Sequence, residues 1–209
     1  MAYEARSQIG PDALLEEEAG YVARAVPKRV GEFAAGRACA RRALADLRIT
    51  GFALGVGPDR EPLWPPGVTG SITHTRGFCG AAVARHAATA GLGIDAERRD
   101  ALHRRLWRRI ATPGELDWLE GLPPQLALDM ASVLFSAKEA FFKCQFPVTR
   151  EWLNFTDVRV SVERPRLRIW PERHLALGRR AAPPWEGRYA LAGALVVAGF
   201  SLPPTLQIQ

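Results

Sequence analysis

Between Pro123-Pro124 and Pro147 the chain runs through a stretch so apolar that it limits what the fold can be. Met130, Val133, Leu134, Phe135, Ala137, Ala140, Phe141 and Phe142 crowd residues 126–144, a length that suits a helix rather than a strand. A helix this apolar is largely buried, so other elements have to cover it. The spacing predicts a helix over 126–144. Pro147 should end it, because proline has no amide to donate and its ring crowds the preceding turn. Lys138, Glu139 and Lys143 lie inside this helix. A carboxylate on a buried helix needs a partner, and positions 139 and 143 share a face. Read alone, the same residues also fit an ordinary intrahelical ion pair on an exposed stripe.

The other elements read as α+β. Residues 12–25 read as a helix with an acidic first turn, which suits the positive end of the helix dipole, and 28–47 as a second helix. Residues 51–70, rich in Gly and Pro, read as loop with short extended pieces at most. Two strand-like runs follow, 78–84 and 91–96, and the short link between them predicts a hairpin. Residues 98–111 are basic and predicted helical. Thr112-Pro113-Gly114-Glu115 is a helix start: a hydroxyl cap, Pro at the first position and an acid three residues on. Segments 155–163, 166–170 and 188–198 read as extended. Helix first and antiparallel strands after, twice over, predicts two lobes, residues 1–97 and 98–209.

A chain of 209 residues has room for one large domain or two small lobes. With 47% hydrophobic and 24% charged residues it has the composition of a soluble globular protein. A net charge of +6 favours phosphates, nucleic acid or an acidic protein without choosing among them. Residues 1–18 are charged and lack the apolar core of a leader. The longest apolar run, 189–200, falls short of the roughly 20 residues that span a bilayer. Cys39, Cys79 and Cys144 are scattered, with no Cys-x-x-Cys pair, which supports neither a disulfide framework nor a zinc site. The chain is expected in the cytoplasm with reduced thiols. No Gly-x-Ser-x-Gly elbow is present for a serine hydrolase.

Three segments carry the candidate chemistry. In Gly93-Ile94-Asp95-Ala96-Glu97 the two acids are two apart, so on a strand they point to one face. Such a pair is costly unless a cation lies between, and Mg²⁺ suits carboxylate and phosphate oxygens; a solvated pair at a strand end is the alternative. Gly70-Ser71-Ile72-Thr73-His74 offers hydroxyls and an imidazole to phosphate oxygens, or is a turn with a satisfied histidine. The third segment is the Lys138, Glu139, Lys143 part of the helix. Lys28, Arg29, Arg37, Arg41, Arg42 and Arg60 are phosphate contacts or solvated charges. Arg98, Arg99, Arg104, Arg105, Arg108 and Arg109 form the densest basic patch, fit to dock an acidic protein or nucleic acid, or simply solvated.

Taken in order, Gly70-Ser71-Ile72-Thr73-His74, Gly93-Ile94-Asp95-Ala96-Glu97 and Phe135-Ser136-Ala137-Lys138-Glu139-Ala140-Phe141-Phe142-Lys143 resemble the motifs of 4′-phosphopantetheinyl transferases of the surfactin/enterobactin type. Phe33-Ala34-Ala35-Gly36-Arg37 and Arg60-Glu61-Pro62-Leu63-Trp64-Pro65 add to the likeness, which covers roughly residues 28–155. Thr73 stands where many relatives have Ser, and Phe135 where some have Trp. The resemblance implies a pseudo-dimer of two similar lobes, each of antiparallel strands packed with helices, with coenzyme A in the cleft between them. It implies transfer of the phosphopantetheine arm to a serine of an acyl or peptidyl carrier protein, with release of adenosine 3′,5′-bisphosphate. Asp95, Glu97 and Glu139 would hold magnesium on the pyrophosphate. Glu139 would take the serine proton, directly or through a water, and Lys143 would neutralise the pyrophosphate. Ser71, His74, Arg60, Lys138, Lys28, Arg29 and Arg37 would contact coenzyme A. The expected protein is a monomer that works on acidic carriers and not on nucleic acid or membranes. The rival reading is a metal-dependent nuclease, which also gathers acids and a lysine about Mg²⁺.

Overall fold

The structure, a computed structural model, describes residues 2–5, 11–99, 102–179 and 181–204. It divides into two compact units, Met1–Thr89 and Ala90–Gln209.

The first unit holds β1 (Ala2–Ala5), α1 (Glu16–Ala19), α2 (Pro27–Asp46), β2 (Gly55–Val56), β3 (Pro62–Leu63), β4 (Val68–Thr75) and β5 (Phe78–Arg85). Its main sheet has the order β1-β5-β4, antiparallel throughout, and β2 pairs with β3 beside it. Helix α2 begins with Pro at its first position, where the missing amide is no loss. It lays Ala35, Cys39, Ala40, Ala43 and Leu44 on Val68, Ala81 and Val83 of the sheet. The single helix expected over 12–25 breaks into α1 and two 3-10 turns, Pro11–Ala13 and Gly20–Val22. The cause is Glu18, which is fully buried. Its carboxylate accepts from the Leu54 amide at 3.0 Å and pairs with Arg41, so this acidic turn serves an anchor rather than a solvated helix.

The second unit holds β6 (Gly91–Arg98), α3 (Trp107–Ile110), α4 (Pro113–Glu120), α5 (Pro124–Thr149), β7 (Val158–Glu163), β8 (Arg166–Pro171), β9 (Trp185–Ala192) and β10 (Leu195–Leu202). Its antiparallel sheet runs β6-β10-β9-β8-β7, and α5 lies across β6 and β10. Leu134, Ala137 and Phe141 of α5 are wholly buried, and the Phe141 ring stacks on Trp185 with centroids 5.0 Å apart. The capping box read from Thr112 and Glu115 forms as expected.

Both units thus set one long helix on an antiparallel sheet, the α+β plan the sequence predicts. Further details depart from expectation. Among the described residues, the helix predicted over 98–111 is confined to a 3-10 turn, Arg104–Leu106, and the short α3, because β6 carries on through Arg98. The hairpin between 78–84 and 91–96 does not form: β5 pairs back onto β4, and β6 pairs with β10, Asp95 opposite Ala198. The boundary therefore falls at 89/90 rather than 97/98. Pro147 lies inside α5. This near the end it forfeits one bond, to the carbonyl of residue 143, and Arg150 then caps the helix in the left-handed region at φ 56°. The run 188–198 is two strands, β9 and β10, turning at Gly193 with φ 59°, a conformation glycine adopts without strain. No helix of the described residues is long and apolar enough to cross a membrane.

Candidate active site

The second unit's acid cluster begins with what β6 lacks. Gly91 and Gly93 share a strand face with Asp95 and Glu97, by the period of two. A Cβ on Gly93 would meet the Ala140 carbonyl oxygen at 1.9 Å, and one on Gly91 the Cys144 carbonyl oxygen at 2.3 Å. Without side chains there, the α5 main chain comes down directly on the strand. Ser136 Oγ donates to the Asp95 carbonyl at 3.0 Å. Two turns on, Lys143 Nζ donates to Asp95 Oδ1 at 2.6 Å. Asp95 is buried; Glu97, Glu139 and Lys143 are half-buried.

Glu139 feels both charges. Burial pushes its carboxyl above the ordinary value, the Lys143 ammonium pulls it down and the Asp95 carboxylate pushes it up again, with a net rise. The structure therefore brings together Asp95, Glu139 and Lys143. Glu97 shares their strand face, yet among the described residues no three His, Cys, Asp or Glu are grouped so as to hold a metal ion. The expected closed triad of metal ligands is not formed, and it is the Lys143 ammonium that contacts Asp95. The donor set itself is all carboxylate oxygen, and the Asp95 carboxylate raises the proton affinity of Glu139. That chemistry fits a hard divalent cation.

Beside Glu139 opens a slot of about 280 Å³ walled by Lys138, Phe142, Trp152, Leu153, Asn154, Phe155 and Val158. The sequence reading missed it. Trp152 is 63% exposed, and its ring packs on Phe142 and Phe146 at 5.2 Å. Its only sequence signal was an aromatic just past the helix end.

Lys138 was expected at the coenzyme A and has a different role. Its side chain is buried and gives its three protons to Ile110 O at 2.8 Å, Glu115 Oε2 at 2.7 Å and Phe155 O at 2.7 Å. Glu115 also accepts from the amides of Thr112 and Val160. A lysine whose donors are all used inside the fold has none left for a ligand.

In the first unit a cavity of about 540 Å³ lies at the start of α2, lined by Lys28, Glu32, His74, Arg76, Phe78 and Cys79 among others. It joins two expected contacts, Lys28 and His74, and adds Arg76, which the sequence reading overlooked two residues past the histidine. Arg29 pairs with Glu32 at 3.7 Å and does not line it. Arg37 is withdrawn into the fold: it donates to Leu54 O at 3.1 Å and Gly55 O at 3.2 Å and covers the Phe33 ring. Burial pushes its pKa down to about 10. Ser71 is buried, on the face of β4 opposite to His74, so the two do not point to one place. Arg60 is exposed in the loop between β2 and β3, at φ 67°. In the basic stretch, Arg99 is held by both oxygens of Asp129, whereas Arg104, Arg105, Arg108 and Arg109 are exposed around a buried Trp107.

Comparison with known proteins agrees with this division. A family model for the 4′-phosphopantetheinyl transferase N-terminal domain matches residues 16–84, and the 4′-phosphopantetheinyl transferase superfamily model matches residues 91–192. The chain is 42% identical over 196 residues to 4′-phosphopantetheinyl transferase Svp of Streptomyces mobaraensis, which covers 90% of this chain and 78% of that protein. It is 42% identical over 150 residues to 4′-phosphopantetheinyl transferase PptT of Mycobacterium tuberculosis, 71% of this chain and 65% of the other. Enterobactin synthase component D of Escherichia coli is 38% identical over 122 residues, 56% of this chain and 54% of that protein. With both units matched in order and a relative this similar over most of its length, the chain belongs to the 4′-phosphopantetheinyl transferase superfamily.

Proposed function

We propose that the protein transfers the 4′-phosphopantetheine arm of coenzyme A to a serine hydroxyl of an acyl or peptidyl carrier protein, and releases adenosine 3′,5′-bisphosphate. The observation that carries this reading is the Asp95, Glu139, Lys143 cluster with an aromatic slot at its side. A raised carboxyl such as Glu139 suits a general base working near neutral pH. It accepts the serine proton, the serine oxygen bonds to the phosphorus that bears the arm, and the bond from that phosphorus to the bridging oxygen breaks. The electron pair leaves with the nucleotide, and Lys143 neutralises the charge gathering on the pyrophosphate oxygens. Phe142, Trp152 and Phe155 suit the uncharged arm rather than the anionic nucleotide. Lys28, His74 and Arg76 supply cations for coenzyme A phosphates, with Arg29, Arg60 and Ser71 in supporting roles.

Asp95, Glu97 and Glu139 would hold magnesium, with Lys143 shifting from Asp95 to phosphate. Bound there, the ion supplies Lewis-acid stabilisation of pyrophosphate charge. Arg104, Arg105, Arg108 and Arg109 offer an acidic carrier a docking face. Reversing the charge of Arg104 and Arg105 should raise the apparent KM for carrier and spare turnover at saturation; an unchanged KM removes this face from the account. The three cysteines are buried and outside any disulfide, which suits the reducing cytoplasm, and the enzyme acts as a monomer. The nuclease reading has no support from the family matches.

Incubation with coenzyme A, Mg²⁺ and an apo carrier protein should add the mass of one phosphopantetheine arm to the carrier, and Glu139→Ala should abolish the gain. A wild-type protein that leaves the carrier mass unchanged contradicts the assignment.

A further inference from the structure

Arg173 lies just beyond β8 and reaches back to the segment that walls the aromatic slot. Its Nη1 donates to Glu151 Oε1 at 2.7 Å and to His174 O at 3.0 Å. Its Nη2 donates to Trp152 O at 3.1 Å, and its Nε lies 3.1 Å from Asp157 Oδ2. The two carboxylates are held in turn: Glu151 Oε2 accepts from the Ala176 amide at 2.7 Å, and Asp157 Oδ2 from the Asn154 amide at 2.8 Å. From the helix side, Gln145 Nε2 donates to Glu151 O at 2.8 Å and Lys138 Nζ to Phe155 O. The 151–157 loop is thus fastened on both sides. Burial pushes the Glu151 carboxyl up, but the Arg173 hydrogen bond and the Ala176 amide outweigh it and leave the group below its ordinary value.

The Arg173 side chain is 41% exposed. Ion pairs in such a setting add little to global stability. A planar fork that satisfies two carboxylates and two main-chain carbonyls instead fixes geometry, which a single ammonium cannot reproduce. What it fixes is the wall carrying Trp152, Leu153, Asn154 and Phe155, across the slot from Glu139.

We propose that Arg173 is a positioning residue for the transfer: it holds the 151–157 loop against α5 so that the slot beside Glu139 keeps the width of an uncharged chain attached to a phosphate. This rests on the transferase reading above. Arg173→Ala and Arg173→Lys test it with two readouts, below the melting temperature of each variant. Amide hydrogen exchange across 151–157 should quicken by about tenfold in Arg173→Ala, with little change elsewhere. The KM for coenzyme A should rise roughly five- to tenfold with kcat within about twofold, because a looser wall weakens binding of the arm without touching the base. Acetyl-coenzyme A, whose arm is longer by an acyl group, should lose less, so the preference between the two donors narrows. Arg173→Lys should fall between wild type and Arg173→Ala in both readouts. Unchanged exchange in 151–157 overturns the clamp. Faster exchange with an unchanged KM, or an equal loss for both donors, overturns the positioning role. A wild-type protein unable to modify any carrier overturns the transferase reading and this role together; the other outcomes overturn this role alone.

Discussion

Helix α5 carries two lysines five residues apart that reach two very different regions. Lys138 enters a closed knot in which every proton meets an acceptor and Glu115 collects two main-chain amides as well. Lys143 enters a half-buried cluster where one carboxylate is contacted and a second has its pKa raised. The first arrangement has nothing left to offer and serves the fold. The second is charged and partly open, with Glu139 held above its ordinary pKa, the condition in which a site binds something. A lysine beside an acid in sequence does not tell the two apart; the count of acceptors around it does.

The contrast breaks most easily at the knot. Lys138→Met should cost about 3–5 kcal/mol in denaturant unfolding, since it strands a buried Glu115 carboxylate, and the double variant with Glu115→Leu should recover part of the loss. If Lys138→Met leaves stability intact but abolishes carrier modification, the assignment of the two lysines is reversed. A smaller effect is expected at the strand that serves the open site. Gly93→Ala should cost about 1–3 kcal/mol by pushing α5 off β6, and should lower transfer further than that loss of stability explains, because Asp95 and Lys143 are drawn apart. Full activity in that variant means the close approach is not needed. The finest test is a titration of Glu139 in metal-free protein by carboxyl NMR. Its midpoint should lie above the ordinary 4.5. With the folded pKa raised, the native state holds more protons than the unfolded one between 4.5 and that midpoint, so stability falls as pH rises through this window. Asp95→Asn removes the nearby negative charge and should bring the midpoint down; a wild-type midpoint at or below 4.5 removes the contrast with the knot.

Much of this was legible in the sequence, and the rest was hidden for identifiable reasons. The capping box at Thr112 and the long apolar helix could be read because each is a local pattern with a local cause. Asp95 with Glu139 and Lys143 could be read as a constellation, but not the glycine contact that brings them together, since Gly93 in a strand looks like any weak β-former until a helix is found against it. The turn at Gly193 was hidden by apolar residues on both sides. Arg37 and Lys138 were placed at a ligand because charge is visible in a sequence and burial is not; their acceptors are main-chain carbonyls at 54, 55, 110 and 155, which no side-chain pattern reveals. The aromatic slot draws on a loop that follows the helix and on the helix itself, and Trp152 there resembles any exposed aromatic.

The bare stretch of β6 bears on how this site can vary over time. Where strand and helix touch backbone to backbone, their spacing owes nothing to side-chain size, so neighbouring positions can change chemistry without disturbing the frame. On the proposed metal role of Asp95, Glu97 and Glu139, shortening Glu97 to aspartate would change the ligand set while the frame stays fixed. A single methyl group added at Gly93 would push the helix off the strand.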